Sequence, residues 1–221
     1  MKILVLSCDK NADIFYAFHH CIEKYWKNHP EIIYKTETIQ NPYYKTFCAN
    51  YPMDKWTVGI REVLNQIDDD KILIMVDDCF VRTYVDEDRL YYAESKLSGN
   101  IACLNLEKSF DPTDEITEIS GFKKRKHGSL FEVSIMCGIW DKDKLIIVLS
   151  EDCSPWQIEE KKRNYGFDFY INSGEYIIDW GYITWHTPGL LKGKWCKEVV
   201  PFFEKENISI DYSIRGFADE V

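Results

Sequence analysis

Lys71-Ile72-Leu73-Ile74-Met75-Val76-Asp77-Asp78 reads as a strand closed by two acids. Five apolar residues in a row, with no polar alternation, predict a strand covered on both faces, as in a parallel sheet packed between helices. On its N-terminal side Trp56, Ile60, Val63, Leu64 and Ile67 share one helical face over 56–67, and Asp68-Asp69-Asp70 ends that helix. Further upstream, residues 2–7 predict a strand, Ala12–Trp26 a helix stopped by Asn28-His29-Pro30, and Glu31–Ile39 a second strand. Residues 40–53, with Pro42 and Pro52, read as irregular. On the C-terminal side Asp86 caps a helix over 87–97, followed by a strand at Ile101–Leu106. Residues 107–129 read as a charged surface excursion, 131–140 as a strand and 142–149 as a helix. A short helix from Gln157, a hairpin or meander over 167–187 and a helix over 195–205 complete the chain. Strand–helix–strand alternation predicts an α/β, Rossmann-type, mostly parallel sheet flanked by helices, with a small C-terminal β-hairpin/helix segment. Residues 1–221 are expected to form a single domain.

Composition narrows the function classes. With 27 Lys+Arg against 37 Asp+Glu the net charge is −10, which argues against a general nucleic-acid binder, since that needs a basic face to displace phosphate counterions. Apolar residues make up 45% and aromatics 15%, enough for a packed core and too much for a disordered chain. No apolar run approaches the roughly 20 residues of a membrane span. The opening Met1–Cys8 resembles a lipoprotein signal only superficially, because Asp9 and Lys10 follow a short apolar stretch. The eight cysteines include no C-x-x-C pair and lie mostly in apolar segments, which predicts reduced, buried thiols in a cytoplasmic protein and no zinc site.

Ligands of open parallel sheets sit beyond the carboxyl ends of the strands. Ser7 and Asp9 follow the first strand, and Asp77-Asp78 follow the most hydrophobic one. Adjacent carboxylates repel unless a divalent cation or a sugar–phosphate compensates them. Either a ligand site or an ordinary strand exit accounts for these acids.

Three segments carry a resemblance to a known family: Ile72–Phe80 with its acidic pair; Ile139–Leu145 followed by Ser154-Pro155-Trp156-Gln157-Ile158-Glu159; and Gly189-Leu190-Leu191-Lys192-Gly193-Lys194-Trp195. Together they resemble the small GT-A-fold glycosyltransferases of bacterial surface-polysaccharide clusters. The resemblance implies a GT-A-like sheet, with 1–106 as the nucleotide-sugar-binding half and 107–221 as the acceptor-side half. It also implies transfer of a hexosyl group, with inversion, from a nucleotide-sugar donor to a carbohydrate or glycolipid acceptor. Asp77 and Asp78 would hold Mn²⁺ or Mg²⁺; Ser7, Asp9, Arg61, Asp77, Trp156, Lys192 and Lys194 would bind the donor or acceptor; and Glu159 would be the base. The tripeptide is Asp-Asp-Cys rather than Asp-x-Asp. If its register begins at Asp77, Cys79 takes the second acidic place; if at Val76, Asp78 does.

Inverting sugar transfer needs a carboxylate to take the acceptor hydroxyl's proton, and Pro155-Trp156 is a rigid apolar lead-in that shields Glu159. Trp156 can stack on a sugar face. Glu160 is a rival for the role, and an acid at a helix N-terminus is also favoured by the dipole alone. Lys123–His127 reads either as a solvated loop or as a flap meeting the diphosphate, and Lys192, Lys194 and Arg215 pose the same choice. For Arg61 a surface ion pair is the alternative. His186 and His19-His20 read as structural. A non-catalytic nucleotide- or carbohydrate-binding module and a sugar nucleotidyltransferase remain alternatives. The latter needs a glycine-rich basic loop after the first strand, and Ser7-Cys8-Asp9-Lys10-Asn11 has no glycine. Contact with a membrane surface is compatible with a glycolipid acceptor.

Overall fold

The computed structural model describes residues 1–108, 115–129, 131–160, 163–180 and 189–219. Its elements are β1 (Lys2–Leu6), α1 (Phe15–Tyr25), β2 (Ile32–Thr36), β3 (Lys45–Cys48), α2 (Trp56–Leu64), β4 (Lys71–Val76), α3 (Glu87–Lys96) and β5 (Ile101–Lys108). There follow β6 (Glu115–Ile116), β7 (Phe122–Lys124), β8 (Gly138–Asp141), α4 (Lys142–Val148), α5 (Pro155–Glu160), β9 (Asp168–Asn172), β10 (Leu190–Leu191), β11 (Lys194–Trp195) and α6 (Val200–Glu206).

One nine-stranded sheet has the order β3-β2-β1-β4-β8-β5-β9-β7-β6. The pairs β2/β3, β1/β2, β1/β4 and β5/β9 are parallel; β8 runs against both its neighbours, and β7 against β9 and β6. All strands but β7 and β8 therefore point the same way, and the fold is the expected α/β, mostly parallel, Rossmann-type one.

Two compact units make up the chain. The first holds Met1–Asp9, Pro30–Val76 and Asp86–Ile177, including the whole nine-stranded sheet and α2 to α5. On one face of its sheet Leu4, Leu6, Ile72 and Ile74 pack with Ile60, Val63 and Leu64 of α2 and Leu145 and Val148 of α4. On the other face Ile3, Val5, Leu73 and Met75 are equally buried, as the unbroken apolar run predicted. Asp86 caps α3, its side chain accepting from the Arg89 N–H at 3.1 Å. The second unit holds Lys10–His29, Asp77–Val85 and Ile178–Val221. Its core is an aromatic cluster in which Phe80 meets Phe203 edge-on at 4.8 Å and Trp195 lies 5.7 Å from Phe203. Its β10–β11 hairpin turns at Lys192-Gly193, with φ of 52° and 80°, the pair of positive values that a two-residue hairpin turn matched to strand twist requires.

Several expectations are corrected. The segment 131–140 is a strand only from Gly138; before that Phe131 and Cys137 take positive φ (59° and 34°). The irregular stretch 40–53 contains β3, which forms the edge of the sheet. The excursion 107–129 contributes β6 and β7, anchored by buried Phe122. Only Asp168–Asn172 of the meander is a strand among the described residues, and the last helix begins at Val200 because Lys194–Trp195 is used as β11. His186 lies outside the described residues. No disulfide joins any of the eight cysteines.

Candidate functional site

In the first unit β1 and β4 end side by side, with Leu6 opposite Val76. Ser7 continues the pairing, its N–H donating to the Lys35 carbonyl at 2.9 Å. Asp9 turns its carboxylate onto the loop after β2. It accepts from the N–H groups of Glu37 (3.2 Å), Thr38 (2.9 Å) and Ile39 (3.0 Å) and from the Thr38 hydroxyl, while its own N–H donates to the Glu37 carboxylate. Burial works to raise its pKa, but these donors prevail and hold it down to about 2. Asp9 is thus a charged clamp on residues 37–39.

Arg61 spends its guanidinium on α4, donating to the Leu149 carbonyl and pairing with Asp152 at 3.0 Å. It neutralises the negative end of that helix, the ion-pair alternative named above, rather than standing free for a diphosphate. The basic run is likewise engaged. Lys124 pairs with Asp168 at 2.7 Å, the Arg125 N–H donates to the Phe169 carbonyl, and His127 lies 2.8 Å from Glu132. Residues 123–127 form a strand end and turn.

Around α5 the structure gathers chemistry. Ser154 and Gln157 form a reciprocal capping box, the Ser154 N–H donating to Gln157 Oε1 at 2.9 Å and the Gln157 N–H to Ser154 Oγ at 3.4 Å. Trp156 is 61% exposed and shares a helical face with Glu159, three residues on. Glu159 Oε1 accepts from the Ser134 hydroxyl at 3.2 Å and the Ile135 N–H at 3.1 Å; among the described residues none donates to Oε2. Burial raises the Glu159 carboxyl above its ordinary range, outweighing those two bonds, while neighbouring Glu160 is exposed.

Sequence reasoning missed Glu107. It sits near the carboxyl end of β5, inside a register shift between Asn105 and Lys108. Such bulges re-aim side chains. Its N–H donates to Asn105 Oδ1 at 2.8 Å, and Asn105 Nδ2 donates to the Met136 carbonyl at 2.7 Å. Burial and the charge of Glu159 push the Glu107 carboxyl up to about 7, against the pull of Arg125. The strand-end rule that singled out Asp9 and Asp77 could have found it, since Glu107 directly follows the strand read at Ile101–Leu106.

In the second unit Asp77 is 1% exposed and accepts from Asn11 Nδ2 at 2.8 Å. Asp78 is half-buried; its carbonyl accepts from the Gly189 N–H at 2.6 Å, and burial pushes its carboxyl up to about 6. Lys192 and Lys194 are exposed on the hairpin. Arg215 gathers the unit, donating to Asp13 (2.8 Å from Nε), Asn11 Oδ1 (3.2 Å) and the carbonyls of Lys10 and Gly193. The acidic pair does not fit a divalent ion well. Asp77 is enclosed and already bonded to Asn11, and among the described residues no group of three or more His, Cys, Asp or Glu is placed to hold a metal.

No protein family matches the sequence, and no curated protein does. Solved structures match the fold. S. aureus TarS 1-349 is 11% identical with a TM-score of 0.52, covering 80% of this chain and 59% of that one. The same protein in complex with UDP is 7% identical with a TM-score of 0.51, covering 79% and 58%. A cytidylyltransferase from Leptospira borgpetersenii serovar Hardjo-bovis is 12% identical with a TM-score of 0.49, covering 100% of this chain and 98% of that one. The chain spans less than three-fifths of the TarS structures, and what it shares with them is the α/β fold. No helix among the described residues is long and apolar enough to cross a membrane.

Proposed function

We propose that this chain is a cytoplasmic glycosyltransferase that moves a hexosyl group, with inversion, from a nucleotide-sugar donor to a carbohydrate or glycolipid acceptor in surface-polysaccharide or glycoconjugate synthesis. The observation that carries this reading is Glu159. One of its oxygens is fixed by Ser134 and Ile135, no described residue donates to the other, its proton affinity is raised, and an exposed indole lies on the same helical face. That is how a general base beside a sugar platform is built. Glu159 Oε2 takes the acceptor hydroxyl's proton, the freed oxygen pair forms the bond to the anomeric carbon, and the bond to the diphosphate oxygen breaks. The nucleoside diphosphate leaves with that electron pair. Asp77 and Asp78, with Lys192 and Lys194, are assigned to the donor, the lysines compensating diphosphate charge. In the first unit Asp9 clamps the 37–39 loop, and Ser7 leads the chain into that turn.

A panel of UDP-, GDP- and CDP-linked sugars with oligosaccharide acceptors tests the reading. Release of nucleoside diphosphate with a new glycosidic bond is expected. Pyrophosphate release from nucleoside triphosphate plus a sugar 1-phosphate would make the chain a nucleotidyltransferase. Saturable binding without turnover would make it a binding module.

A further inference from the structure

The acidic pair after β4 divides into two very different environments. Asp77 is enclosed and bonded to Asn11, while Asp78, next in sequence, remains partly open. Asn11 is itself held from behind. Its Oδ1 accepts from Arg215, so its amide has a single orientation, with Nδ2 left to face the Asp77 carboxylate. Arg215 is fixed in turn by Asp13 and by the carbonyls of Lys10 and Gly193. Its fork thereby joins the 3-10 turn at Asp9–Ile14 to the Lys192-Gly193 turn. A bidentate, planar cation is suited to holding several acceptors in one geometry, which a lysine cannot reproduce.

We infer that Arg215, Asn11 and Asp77 form a positioning relay, in which Asp77 never touches the ligand but pins the chain so that Asp78 presents its carboxylate to a nucleoside diphosphate or its sugar. The inference rests on the proposed donor role of the acidic pair and divides that role: Asp78 contacts, Asp77 holds. Its chemistry is hydrogen bonding to the hydroxyl groups that such donors carry, and it requires no metal ion.

Reversing the polarity of one hydrogen bond separates the two roles. Asn11→Asp keeps an acceptor for Arg215 but removes the donor to Asp77 and sets two carboxylates together. Adding Asp77→Asn restores the bond with donor and acceptor exchanged. Binding of UDP, CDP, GDP and ADP is measured by calorimetry, with and without Mn²⁺, alongside melting temperature. Expected are a loss of affinity of at least tenfold in Asp78→Asn with a melting temperature no lower than wild type's, a similar loss in Asn11→Asp with a lowered one, and recovery of both in Asn11→Asp/Asp77→Asn to within about threefold, or about 0.7 kcal/mol. If the double variant regains stability but not affinity, Asp77 itself contacts the ligand and the relay is wrong. Full affinity in Asn11→Asp also overturns it. If no nucleotide binds the wild type, or Asp78→Asn binds normally, the donor site itself is misplaced and both readings fall.

Discussion

Glu107 and Glu159 are tied to opposite ends of one short segment. Asn105, which receives the Glu107 N–H, donates to the Met136 carbonyl, and the Ile135 N–H donates to Glu159. The Leu106 N–H fastens the same segment by donating to the Cys137 carbonyl at 2.8 Å. Cys137 accepts a left-handed φ of 34° there, which costs energy for a residue with a side chain and is sustained by the bonds on either side. The two carboxyls are thereby held where the charge of Glu159 discourages ionisation of Glu107.

Glu159→Gln is expected to lower turnover by roughly 10² to 10⁴ while donor affinity stays within about twofold, because a base acts in the chemical step rather than in ground-state binding. Glu160→Gln is expected to be nearly silent, since adjacent helical residues point about 100° apart. Steady-state kinetics on the two purified variants decide this. Loss of turnover in Glu160→Gln alone would move the base by one residue.

The pH dependence of stability follows from Glu107. Its folded pKa of about 7 lies above that of an unfolded glutamate, so the folded state binds the extra proton. Its favourable contribution is fully present below the unfolded value and is lost as pH rises through about 7. Asp78, raised to about 6, acts in the same direction over a lower window. Glu107→Gln is expected to gain about 1–3 kcal/mol relative to wild type between about pH 5 and about pH 8. Urea melts across that range check it; parallel curves for the two proteins would show that Glu107 ionises normally.

Asp9 has the opposite sign. Held down to about 2, it stabilises the fold above the ordinary aspartate range, and that stability is lost as pH falls through about 2. Asp9→Ala leaves the N–H groups of residues 37–39 without their acceptor and is expected to cost about 1–2 kcal/mol at neutral pH. Hydrogen exchange at those three amides should quicken. Unchanged exchange would mean that the loop holds its own shape.

Gly189→Ala tests the packing of the second unit. An added Cβ would collide with the Phe80 ring at Cε2 and lie 3.0 Å from the Asp78 carbonyl, so the ring or the backbone must move. Phe80 is wedged against Phe203 and Trp195 and has little room to turn. Destabilisation of about 1–3 kcal/mol is expected, read as a lowered denaturation midpoint. A melting curve matching wild type would refute the close approach.

Local pattern went far on its own. The periodicity of Trp56, Ile60, Val63 and Leu64 and the unbroken run before Asp77 were enough for α2 and β4, because those residues face a core whatever covers them. Asp86 could be named as a cap from its place before an apolar period, and it is one. The same reading singled out the acidic pair and expected Glu159 at the start of a helix from Gln157, whereas α5 begins at Pro155 and Glu159 is the fifth of its six residues. It could not say that β8 runs antiparallel between β4 and β5, since strand direction is set by the partner and not by the strand. Nor could it tell that Arg61 is taken up by α4 or that Glu107 belongs beside Glu159. Desolvation and charge act through space, from residues far apart in the chain. Asn11 and Arg215 are 204 positions apart, and Asn11 and Asp77 are 66 apart. Only the folded chain brings Asn11 against both partners, and that contact makes one aspartate of an identical pair a support and leaves the other open.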